Sequence, residues 1–350
     1  MIPAGTPEDQ AIQAFTNEND PQKKLALMED FTQKFSSNPA AAAYGNWQLA
    51  QYYQSAGDLA KAMSYGEKAL AASPRNIDLL MSQANLAQQI KNDARVMEYA
   101  LRGGAAYNSI SKQPKPEGMS DPDFAGRVAE DLNTSKNAYE FLETAAFNVI
   151  AQEQDAKTRM SYIEKFTPAF PNSRFEEPVA QYAMFTLTQM NDMTRLVSYG
   201  ERTLATNPNS IPTLILLASA YAEEAKGTNL GKAVSYSQKV IELAKPDAPD
   251  ADRARKLSAG VAQSTLGYAL MKQDKTAAAV DHLKAGAELL KEDAASYSTV
   301  LYRLGFAYAK LNKVNEAREV LTQGAKVQGP AQELCRDLLV KVNTARSKAK

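Results

Sequence analysis

The side chains of this chain that can attack, transfer a proton or bind a metal at neutral pH are few and scattered. There is one histidine, His282, and one cysteine, Cys335. An imidazole titrating near neutrality suits a general base or a metal ligand, but His282 stands without a sequence motif around it. Cys335 shares a helical stripe with Ala331, Leu334, Leu338, Leu339 and Val342, so it reads as a small buried hydrophobe and not as an activated thiolate. A single cysteine excludes an internal disulfide framework, and with a single histidine it excludes a Cys/His zinc cluster. Gly227-x3-Gly231-Lys232 faintly suggests a phosphate loop. It is a residue short, no Ser or Thr follows the lysine, and it joins two helical stretches where a phosphate loop follows a strand. Asp78, Asp155, Glu224 and Glu288 are dispersed along helical stretches, where carboxylates are normally solvated. No catalytic, cofactor-binding or metal residue is assigned, and the chain is expected not to be an enzyme.

What remains is architecture. Alanine and glutamine are abundant, 44% of residues are hydrophobic and the mean hydropathy is −0.41, as in a well-packed helical protein. Forty basic residues balance forty acidic ones, which gives no support for a nucleic-acid or membrane-surface partner. The longest apolar stretch, Leu214 to Ala222, is half the length needed to span a bilayer, so no transmembrane segment is expected. The opening MIPAGTPEDQ has neither a basic nor an apolar leader region. The expected location is cytoplasmic, or periplasmic or exported if a leader was removed.

The elements that would carry any function repeat along the chain. Leu301-x2-Leu304-Gly305-x2-Tyr308 is followed by Ala317-x3-Leu321 and Gly329-Pro330. Earlier copies run Gln263-x2-Leu266-Gly267-x2-Leu270 with Ala279-x3-Leu283, and Asn46-x2-Leu49-Ala50-x2-Tyr53 with Ala62-x3-Gly66 and Pro74. Apolar and small residues recur at three- and four-residue steps, so each half-unit is a helix with one apolar stripe. Ser55-Ala56-Gly57-Asp58, Met190-Asn191-Asp192, Lys272-Gln273-Asp274 and Leu311-Asn312-Lys313 mark the turns between halves. Proline ends the second halves at Asn38-Pro39, Ser73-Pro74, Phe170-Pro171 and Asn207-Pro208. Small residues at Ala50, Ala84, Ala218, Gly267 and Gly305 allow close helix approach.

These residues resemble the 34-residue signature of the tetratricopeptide repeat family. Taking the first position at Ala43, Ile77, Glu140, Glu177, Ile211, Gly260 and Ser298 gives seven units. A weaker unit near Glu8 ends in Phe31, Phe35 and Pro39. The resemblance implies an all-α, right-handed α-solenoid of stacked helix-turn-helix repeats with a C-terminal capping helix. The stretch from Ala14-Phe15 to Asn38-Pro39 is also similar to the start of exported bacterial proteins of this class. The expected organisation is a single repeat domain over 8–345. It comprises a weak repeat at 8–42, repeats at about 43–110, a loop and extra helix at 111–139, repeats at about 140–329 and a capping helix at 330–345. Residues 1–7 and 346–350 are expected to be flexible tails. Asp121 should cap the inserted helix, with Phe124, Val128 and Leu132 as its apolar stripe. That helix is either separate or an extension of the one carrying Phe141 and Phe147.

In the repeat register Tyr65, Tyr99, Tyr162, Tyr199 and Tyr236 share position 23, and His282 takes the same place in a later unit. The histidine is therefore expected to substitute for a packed tyrosine with a wet polar tip. In the family, positions 2, 5, 9 and 12 of first helices line the inner surface. On this chain the resemblance implies a groove of Tyr44, Trp47, Gln51, Met81, Asn85, Phe141, Asn148, Gln181, Phe185, Tyr268, Met271, Tyr302 and Phe306, with Arg303 beside them. Trp47 and Gln51 stand where a carboxylate clamp would have Lys and Asn. The expected function is a non-enzymatic scaffold that holds a protein or peptide in this groove. The alternative is a structural or self-assembling homo-oligomeric subunit of a bacterial envelope complex.

Overall fold

Short polar side chains at the helix starts account for much of the local structure. Asp20, Asn38, Asp58, Asn76, Asn92, Asp155, Asp192, Asp252 and Asp293 each accept a hydrogen bond from a backbone N–H in the first turn of the helix that follows. Each cap contributes about 1 kcal/mol. Proline stands in the first turn of several helices, as at Pro7, Pro21 and Pro39, where its missing donor costs nothing. Pro39 thus begins a helix as well as following the end of one.

The computed structural model describes residues 2–224 and 228–348, with side chains to Thr344. Gly227 of the glycine–lysine string, Lys350 and the side chains of Arg346 and Lys348 lie outside the described residues. Among the described residues the chain forms seventeen α-helices and no strand. In chain order they group as α1 (Pro7–Thr16) and α2 (Pro21–Lys34), α3 (Pro39–Ser55) and α4 (Leu59–Ala72), α5 (Ile77–Gln89) and α6 (Asp93–Ile110), and α7 (Asp121–Gln152) and α8 (Ala156–Ala169). Then come α9 (Glu176–Gln189) and α10 (Met193–Thr206), α11 (Ile211–Glu224) and α12 (Asn229–Ala244), α13 (Arg253–Lys272) and α14 (Thr276–Leu289), and α15 (Ala294–Lys310) and α16 (Val314–Gly324). The last helix, α17, spans Gln332–Lys348, so it continues past the end expected at 345. This is an all-α helical-repeat architecture.

The chain divides into two compact units, Met1–Tyr182 and Ala183–Lys350. In the first, Phe15, Met28, Phe31 and Leu49 form an aromatic-rich core into which Ile2 and Tyr44 pack. Leu80, Leu142, Ile150, Ile163 and Phe166 are also fully buried there. In the second, Leu283, Leu301, Leu304, Leu321 and Cys335 belong to one apolar cluster that joins α14 through α17. Gly305 shows why a small residue recurs at its position. A Cβ there would lie 2.5 Å from the Leu321 side chain, closer than packed carbons approach.

Five of the turns within hairpins carry a left-handed residue: Gly57, Lys91, Asn191, Asp274 and Asn312 all have positive φ. Glycine, asparagine and aspartate tolerate that conformation. Lys91 does so without that advantage and gave no turn signal in the sequence.

The insertion is settled differently from expectation in one detail. Ser120, not Asp121, caps α7, its Oγ accepting from Asp123 N at 3.2 Å. Asp121 is instead the first helical residue, where its charge favours the positive end of the helix. The inserted segment then runs unbroken into the repeat as a helix of 32 residues. Tyr107 near the end of α6 stacks on Tyr139 at 4.2 Å, so the part of α7 before Tyr139 extends past the end of α6.

Candidate partner-binding surface

Position 9 of the first helices is the most informative line on the molecule. In the N-terminal unit it holds Gln51 on α3, Asn85 on α5 and Asn148 on α7, all exposed. In the C-terminal unit it holds Phe185 on α9, 52% exposed, Ser219 on α11, Tyr268 on α13, and Phe306 on α15, 41% exposed. The first unit presents amides where the second presents mainly rings. Large apolar side chains left this open to water mark surfaces that other molecules cover.

The other expected residues of the N-terminal unit mostly pack. Tyr44 stacks on Phe15 at 6.4 Å and meets the edges of Phe31 and Trp47, so it belongs to the core as much as to a surface. Trp47 is half-buried, and its Nε1 is enclosed with no hydrogen-bond partner. Met81, Phe141 and Gln181 are half-buried. Asn85 accepts a hydrogen bond from Gln89 at 2.8 Å.

The C-terminal unit brings Tyr268, Tyr302, Arg303 and Phe306 together and removes Met271. Met271, expected on the inner surface, is 4% exposed and packs in the cluster with Leu304, Ala307 and Tyr308. The last turn of α13 is covered by the last turn of α15, as the Lys310 Nζ bond to Met271 O at 3.4 Å records. Tyr302 is half-buried against the same cluster, its ring 6.4 Å from that of Phe306.

Beside the rings lies a polar constellation. The Arg303 guanidinium sits 4.4 Å from the Tyr268 ring centre, and Lys272 Nζ sits 4.7 Å from the same ring. Arg303 Nη1 donates to Ser264 Oγ at 3.1 Å. Glu223, from the last turn of α11, accepts the Tyr268 hydroxyl at 3.2 Å, and its carboxylate lies 3.8 Å from Arg303 Nη2 and 3.9 Å from Lys272 Nζ. Burial pulls the Arg303 guanidinium below the ordinary arginine pKa, with Glu223 and Tyr268 opposing. Sequence reasoning missed Glu223. It lies 45 residues from Tyr268, and only the repeat register, which puts it on the last turn of a first helix, points to it.

The residues that first suggested chemistry are placed as packing groups. His282 Nδ1 is 2.8 Å from Gln263 Oε1, a side-chain hydrogen bond in the place where Tyr236 uses its hydroxyl. Cys335 is fully buried, and burial pushes its thiol up to about 11, so almost none is thiolate at neutral pH. No group of three or more His, Cys, Asp or Glu side chains suited to a metal occurs among the described residues. No helix among them is long and apolar enough to cross a membrane.

The tetratricopeptide repeat model matches residues 43–76 and 298–329, which take in most of α3 and α15 with α4 and α16. Among solved structures, the chain is similar to a thermophilic tetratricopeptide repeat protein of Thermus thermophilus, at 14% identity over 58% of this chain and 98% of that one, with a TM-score of 0.41. It is similar to a tetratricopeptide repeat protein from Parabacteroides merdae ATCC 43184, at 11% identity over 96% and 98%, with a TM-score of 0.36. It is also similar to PilW, a type IV pilus biogenesis factor, at 19% identity over 74% and 98%, with a TM-score of 0.31. No curated protein sequence matches it.

Proposed function

We propose that this tetratricopeptide repeat protein is a non-enzymatic scaffold whose C-terminal unit holds a segment of another polypeptide on its first-helix surface. Proteins of this fold generally mediate protein–protein interaction, and that coarse role is the starting point. The observation that carries the finer reading is the change at position 9, from Gln51, Asn85 and Asn148 to Phe185, Tyr268 and Phe306. Amides in water gain little from a partner, because their hydrogen bonds are merely exchanged. Exposed rings gain from leaving water, at about 25 cal/mol per Å² of apolar area. Apolar side chains of the partner would lie against Phe306 and Tyr302, with Tyr268 and Arg303 at the polar edge.

The test uses a peptide selected from a displayed library on the intact chain and titrated by calorimetry. Phe306→Ala and Phe185→Ala should each weaken binding about tenfold or more, an effect of roughly 1.4 kcal/mol, while the melting temperature stays within a degree or two. Gln51→Ala should leave binding unchanged. Binding that survives the Phe185 and Phe306 changes but falls with Gln51→Ala would move the site to the N-terminal unit and end this reading.

A further inference from the structure

Arg303 is a sheltered guanidinium with most of its donor capacity unused. Among the described residues it makes one hydrogen bond, to Ser264 Oγ, and one ion pair, to Glu223 at 3.8 Å. That separation is too long for a hydrogen bond. Its fork is nevertheless held in place by the Tyr268 face, with Lys272 beside the same ring. Lys272 is itself anchored on the Glu223 carbonyl, Nζ to O at 3.2 Å. Two cations therefore share one carboxylate, and that carboxylate approaches neither closely.

We infer that Arg303, Lys272 and Tyr268 form an oxyanion site that takes an acidic side chain of the bound polypeptide, and that Glu223 is a tethered occupant which this side chain displaces. The inference rests on the proposed surface and names the chemistry of its partner: an Asp or Glu close to apolar side chains. The geometry favours exchange. Glu223 is more than half exposed, and ion pairs with that much water around them are worth little. A planar carboxylate arriving from the partner can meet the guanidinium side-on with two short, charge-assisted bonds. Lys272 Nζ supplies the second charge, and the Tyr268 hydroxyl, released by Glu223, supplies a further donor. A free anion such as phosphate has the same chemistry, so the probe must separate the two sources.

The experiment needs no partner at first. Side-chain Nε resonances of Arg303 are followed in the full chain during titration with sodium acetate and with inorganic phosphate, at constant ionic strength set by chloride. Glu223→Gln should bind both anions saturably and about tenfold more tightly than the parent, the gain expected if the tethered carboxylate holds the site nine-tenths of the time. Arg303→Lys should abolish the gain in that background. A Glu223→Gln response that is no tighter than the parent's, or that chloride reproduces, overturns the site. In the second arm, selected peptides with and without an acidic residue are compared. Glu223→Gln should tighten only the acidic ones. If it tightens phosphate but neither peptide, the site serves free anions and the polypeptide assignment falls. Loss of peptide binding in Phe306→Ala bears on the groove alone, so the two proposals fail separately.

Discussion

Tyr236 donates its hydroxyl to both oxygens of Glu201, at 3.1 and 2.9 Å. Lys232 and Tyr221 bind the same carboxylate, at 3.0 and 2.6 Å. The N-terminal unit repeats the arrangement with Tyr99, Glu67 and Arg95, at the same places in the repeat. In both, a tyrosine and a cation four residues before it on one second helix meet a glutamate on the preceding second helix. The pairing ties adjacent repeats through their second helices.

Acid should loosen this tie. Burial alone would raise the Glu201 carboxyl, but the bonds from Tyr221, Lys232 and Tyr236 hold it below the ordinary glutamate value of 4.5. A depressed carboxylate contributes stability above its unfolded pKa and loses it as pH falls through the folded one. Thermal melting of the parent should therefore decline below about pH 4.5, and Glu201→Gln should flatten that decline while lowering stability at pH 7. Parallel curves for the two proteins would remove Glu201 from the acid response.

Two glycines should respond oppositely to the same substitution. Gly305→Ala forces a Cβ to within 2.5 Å of Leu321, and overpacking of this kind costs about 1–3 kcal/mol. Gly231→Ala, on α12, meets nothing within 4 Å and should be neutral or stabilising by up to about 1 kcal/mol. Chemical denaturation of both variants checks the sign of each.

Brief trypsin treatment should cut first after Lys112. Residues 111–118 are all exposed and lack apolar area to anchor them. Lys115 contacts Asp121 and is followed by Pro116, so cleavage there should be resisted. Mass spectrometry that found first cuts within 43–73 would show the loop to be docked.

Removal of α17 should uncover the last repeat. Cys335 and Ala331 are fully or nearly buried against α15 and α16, and Gly324 sits directly under the Cys335 side chain. Truncation after Val327 should cost several kcal/mol, at about 1.5–3 kcal/mol for each large side chain laid bare, and should promote aggregation. In the intact chain Cys335 should react with a thiol reagent only as fast as the protein opens. Immediate native-state labelling would place the helix in solvent.

The repeat pattern and most caps were legible because they depend on residues a few positions apart. Asn38, Asp58 and Asp192 announce helix starts whatever packs on them. Met271 was misplaced because the register says which side of a helix a residue faces, not how far its neighbour overlaps it. The Tyr99 ring was expected to keep its tip wet, yet the residue is wholly buried. Its hydroxyl is satisfied by Glu67 and Arg95, a pairing of residues whose separation no local pattern encodes. Glu223 stayed hidden for the same reason. The continuity of α7 was undecidable from composition, since nothing between Leu132 and Phe141 either breaks a helix or demands one.

That continuity gives the N-terminal unit a mechanical property. From Asp121 to Asn137 no residue of α7 is buried, and enclosure begins at Ala138. The portion before Ala138 inherits a helix already nucleated in the repeat, so it need not meet the cost of starting one. From Tyr139 to Asp121 that portion measures about 27 Å. A rotation of roughly 10° where Tyr139 stacks on Tyr107 would sweep Asp121 through about 5 Å, at a rise of about 1.5 Å per residue. Packing adjustments too small to alter the repeat would thus be amplified toward Asp121.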